Sequence, residues 1–134
     1  ESIFSERVEP MGERMRQRER YKEMVLENID YDILKEEPKL DREQLDEIVE
    51  LMVDTICTTQ EYIIIGGDKK AAEVVKSQFL QLDAGHIQFV LDCLKENTSK
   101  VRNIRKYLLS VLYNASMTID NYYSALVNHD LYGG

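Results

Sequence analysis

Apolar residues recur at helical spacing in several blocks of this chain, and the cleanest block runs from Asp41 to Cys57. Leu45, Ile48, Val49, Met52 and Ile56 fall on one side of a helix there. Glu43, Asp46, Glu47, Glu50 and Asp54 cover the other. Asp41 is placed to cap this helix, and Gln44 completes a capping-box spacing. A second signal spans His86 to Asn114, which reads as two amphipathic helices joined at Glu96-Asn97-Thr98-Ser99. Ile87, Val90, Leu91 and Leu94 line one face of the first. Val101, Ile104, Leu108, Val111 and Leu112 line one face of the second. Asp83 can cap the helix that carries His86.

The remaining blocks are shorter or less regular. Residues 13–28 lack Gly and Pro and are rich in strong helix formers. Residues 1–12, with Pro10 and Gly12, read as a linker or frayed entry. Pro38 closes the region that follows Asp30. Tyr62-Ile63-Ile64-Ile65, closed by Gly66-Gly67-Asp68, reads as a strand and tight turn, with its partner near Lys69-Lys70. Ala71 to Leu82 reads as a helix burying Val74, Val75, Phe79 and Leu80. A last helix from about Thr118 to Leu131 carries Ile119, Tyr122, Tyr123, Leu126 and Val127 at helical spacing. The expected fold is mainly α, a compact bundle of about six helices with a small β-hairpin, as one helical domain over 13–134.

At 134 residues, with 43% hydrophobic and 31% charged, the chain suits one modest globular core. It opens at Glu1 rather than methionine, as expected of a piece of a longer protein. The net charge of −8 is uneven: thirteen acidic and three basic residues over 23–62, but four basic and no acidic over 100–106. An acidic domain is repelled by phosphate backbones, so non-specific nucleic-acid binding by the whole surface is disfavoured. Cys57 and Cys93 each lie inside an apolar helical pattern and read as reduced, buried thiols. With no run near the ~18 apolar residues of a membrane span and no leader-like segment, a cytoplasmic location without membrane contact is expected.

Convergent chemistry is scarce. His86 and His129 are isolated, and neither has the i, i+4 or Cys-x-x-Cys spacing of metal sites. No nucleophile sits in an elbow or beside a histidine. The chain reads as a non-enzyme without cofactor or metal. The sharper candidate is the basic helix. Arg102, Lys106, Leu109 and Tyr113 follow at i, i+4, i+7 and i+11, which makes one stripe suited to docking a protein or nucleic acid. Lys100, Arg102, Arg105 and Lys106 are the residues that would contact phosphates in a direct DNA-binding reading. Five of the eight tyrosines fall in the last third of the chain, where they suit either an interface or the core.

The segments ENIDYDIL (27–34), DREQLDEIVELMVDTIC (41–57), AEVVKSQFLQL (72–82), HIQFVLDCLKENTSKVRNIRKYLLSVLYNA (86–115) and DNYYSALVNHDLYG (120–133) resemble the C-terminal domain of RepA_N-type replication initiators. Such initiators belong to plasmids and integrative elements. The central stretch is also similar to the C-terminal helical domain of the DnaD primosome family, where a helix ending in Glu-Asn precedes a basic helix. The aromatic pattern of that family falls here on Asn103, Tyr107 and Val111, so its aromatic anchors are missing or moved. The resemblance implies a module that recruits a host replication protein such as the primase, with DNA as the alternative partner. Self-association stays open beside both.

Overall fold

The computed structural model describes the backbone at residues 2–97, 102–115 and 117, and the side chains at 12–96, 102–115 and 117. In chain order the elements are α1 (Ser2–Asn28), α2 (Tyr31–Leu34), α3 (Arg42–Ile56), β1 (Tyr62–Ile65), β2 (Asp68–Ala71), α4 (Ala72–Leu80) and α5 (Ala84–Asn97). A further helix, α6, covers 104–115. Among the described residues the fold is thus a six-helix bundle with a small antiparallel hairpin, as the periodicity predicts. The expected helix over 118–131 lies outside the described residues.

α3 is the centre of the bundle. Leu45, Ile48, Met52 and Val53 are wholly buried, and Leu51 and Val49 nearly so, which leaves only one narrow side for charge. The helix starts where the sequence places it, because the Asp41 carboxylate accepts hydrogen bonds from the backbone N–H of Glu43 (3.0 Å) and Gln44 (3.2 Å). α1 packs Val25 against the same core, and Ile29 just past its end packs there too. α1 begins at Ser2, so the break expected near Pro10 and Gly12 is absent from the backbone.

Asp30, with φ of 53°, turns the chain from α1 into α2. Asp is among the few side chains that tolerate this left-handed conformation. The hairpin pairs Tyr62 with Ala71 and Ile65 with Asp68. Its two-residue turn needs positive φ at both centres, which Gly66 (60°) and Gly67 (84°) supply. α4 buries Ala72, Val75 and Phe79, one face at i, i+3 and i+7. Val74 was expected on that face but is exposed, since it points about 100° away from Val75.

Asp83 caps α5 reciprocally with His86. The Asp83 carboxylate accepts from the His86 backbone N–H (3.1 Å), and the Asp83 N–H donates to His86 Nδ1 (2.9 Å). Nδ1 also lies 2.9 Å from the Asp83 carboxylate. The ring stands in for the Glu or Gln of an ordinary capping box. α6 closes the core with Leu108, Leu112 and Ala115.

Candidate functional site

The site is built where α3 and α6 lie side by side. Along α3, three of the five acids of the charged row, Asp46, Glu50 and Asp54, are engaged by other elements. Arg18 of α1 reaches Glu50 (2.9 Å) and Asp54 (2.7 Å), and Lys22 reaches Glu50 (3.1 Å). Arg105 of α6 reaches Asp54 from the other side at 3.2 Å. The Tyr31 hydroxyl donates to Asp46. Partial burial opposes the charge on Arg18, but hydrogen bonds and proximity to Asp54 and Glu50 outweigh it and hold the guanidinium above its ordinary range. Glu43 and Glu47 have no charged partner among the described residues.

Between the two helices runs an open groove of about 360 Å³. Leu51, Ile104 and Leu108 form its apolar floor, Asp46, Glu47 and Glu50 its α3 rim, and Arg105 its α6 rim. Asp46 and Glu50 also border a smaller hollow of about 260 Å³ toward α1 and α2, beside Lys22, Leu26, Tyr31 and Val49.

The structure divides the residues singled out from sequence. Arg102, Arg105 and Lys106 are exposed at the start of α6. Arg105 is engaged by Asp54, whereas Arg102 and Lys106 have no acidic partner among the described residues. Leu109 and Tyr113 are half-buried and pack against the core, and the Lys70 ammonium sits 5.5 Å from the Tyr113 ring centre. The apolar half of the stripe therefore leans on the bundle, and its cationic half faces solvent. Lys100 lies outside the described residues. The acidic side of the groove was not singled out from the sequence. Its available signal was the i, i+4 spacing of Asp46, Glu50 and Asp54, the step that also separates Arg102 from Lys106.

Other chemistry is thin at this site. No group of three His, Cys, Asp or Glu side chains is arranged to hold a metal ion among the described residues. Cys57 and Cys93 are half-buried, and burial pushes both thiols up. Arg18 and Lys76 pull Cys57 only partly back, so neither is an activated thiolate. His86 is buried with Nε2 unpartnered among the described residues, and the ring serves the helix cap. No described helix is long and apolar enough to cross a membrane.

A family model covers residues 6–134, nearly the whole chain, the described groove included. The chain belongs to the family of unknown function DUF6017. No curated protein and no solved structure matches it. The α3–α6 groove is the surface feature of this DUF6017 chain that calls for a function.

Proposed function

We propose that this DUF6017 chain is a non-catalytic docking module that recruits a host replication protein, such as the primase, for a plasmid or mobile-element replication initiator. The replication context rests on the sequence resemblance set out above. One observation carries the docking part: an apolar groove between α3 and α6 has an acidic rim on one side and Arg105 on the other, and Arg102 and Lys106 are exposed with no acidic partner among the described residues. A surface of mixed sign around an apolar floor suits a folded protein partner, because each charge can find its complement while apolar area is buried. It suits a phosphate backbone poorly, since Asp46, Glu47 and Glu50 line the rim opposite Arg105.

Direct DNA contact is the second reading, and the cluster of Arg102, Arg105 and Lys106 at one helix start favours it. A titration against single- and double-stranded DNA at low and moderate salt separates the two. The docking reading expects little DNA affinity at low salt and primase capture that is weakened in the Arg102→Glu/Lys106→Glu variant. Tight DNA binding with a steep salt slope, lost in that variant, would establish the DNA reading instead.

A further inference from the structure

We propose that the α3–α6 groove seats an amphipathic helix of the partner protein, with that helix's basic flank laid along the acidic rim of α3. The inference rests on the docking reading and names the partner's chemistry. Three observations lead to it. The groove is an open channel bounded by two helices rather than an enclosed cavity for a small molecule, and Leu51, Ile104 and Leu108 give it an aliphatic floor. Side chains at i, i+3, i+4 and i+7 of an entering helix would cover such a floor. The rim carries the second observation. Asp46, Glu47 and Glu50 occupy one helical turn of α3, so cations spaced three or four residues apart on a helix lying alongside can each meet an acid.

The third observation concerns which charges are already committed. Glu50 is shared by Arg18 and Lys22, and Asp46 accepts from Tyr31, but Glu47 has no partner among the described residues. An acid at the mouth of an apolar groove with its charge uncompensated by its own fold is complementary to a lysine or arginine brought by another chain. A nucleic acid would place phosphate against the same acid. A second copy of this chain is a weaker fit, since its own net charge of −8 opposes approach to an acidic rim.

The probe is a fluorescent helical peptide of about 18 residues, near 27 Å long, with leucines at i, i+3, i+4 and i+7 and lysines along one flank. A control peptide carries glutamates in place of the lysines. Both are titrated against the full chain and against its Glu47→Lys variant, with backbone amide NMR as the map. Glu47 is exposed and makes no described contact, so this variant should keep the fold, which circular dichroism checks. The expected result is binding of the lysine peptide alone, with shifts at Leu51, Ile104 and Leu108. The variant should weaken it about tenfold, and salt should weaken it further.

Equal binding of the two peptides, no binding at low salt, or indifference to Glu47→Lys overturns the proposal. So does self-association abolished by Glu47→Lys, which would seat a second copy in the groove. If the peptide fails while primase capture still depends on Arg102 and Lys106, the groove assignment falls alone. Salt-steep DNA binding lost in the Arg102→Glu/Lys106→Glu variant removes the docking reading itself.

Discussion

α3 and α6 are amphipathic helices of opposite sign that meet across one groove, and they use charge differently. Most of the acidic row of α3 is answered from within the fold, by Arg18 and Lys22 of α1, by Arg105 of α6 and by the Tyr31 hydroxyl. The helix is buried over most of its circumference, so its charges lie in a narrow strip that neighbouring helices can reach. α6 instead covers the edge of the bundle and buries Leu108, Leu112 and Ala115. The cations at 102 and 106 are exposed and have no acidic partner among the described residues. The contrast teaches that a charged face is informative only once its partners are known. The denser acidic row is mainly architectural, and the sparser basic one is left available.

Removing core volume from α3 should give the largest effect. Met52 is wholly buried, and Met52→Ala should cost about 2–5 kcal/mol in urea unfolding. Leu109→Ala on half-buried α6 should cost clearly less. Equal losses would break the distinction between a central and a peripheral helix. Next is the start of α3, where Asp41→Ala removes the acceptor for two backbone N–H groups and should cost about 1 kcal/mol.

Asp54→Ala removes the described acidic partner of Arg105 and leaves Arg18 its contact with Glu50. The pairs are solvent-exposed, so the loss should be about 0.5–1 kcal/mol and should shrink with added salt. The Arg102→Glu/Lys106→Glu variant should change unfolding by less than about 0.5 kcal/mol, since neither side chain has a described acidic partner. A larger loss there would place these cations in the architecture with Arg18.

Much of the architecture was legible in the sequence. Helical spacing placed α3 and α5 closely, Asp41 and Asp83 marked their starts, and Gly66-Gly67 fixed a two-residue hairpin. The signal was strong there because each element buries one face and each cap or turn demands a particular side chain. It failed at Val74, where an apolar residue sits just off a short helix's buried face.

The site was legible only in half. The cations of α6 stood out because they are basic in an acidic chain, whereas the acids of α3 looked like ordinary solvated surface. The sequence by itself determined which residues are charged, which faces are apolar, and that the chain folds as a helical bundle with one hairpin. Tertiary structure decided which charges meet. Arg18 is 36 residues from Asp54 and Arg105 is 51 residues from it, yet both contact its carboxylate. Such pairings depend on how three helices pack, and periodicity along one helix carries no information about the rotation of its neighbours. The same packing set Leu51 beside Ile104 and Leu108 and left Glu47 at the rim above them, which made a groove from residues that no local pattern connects.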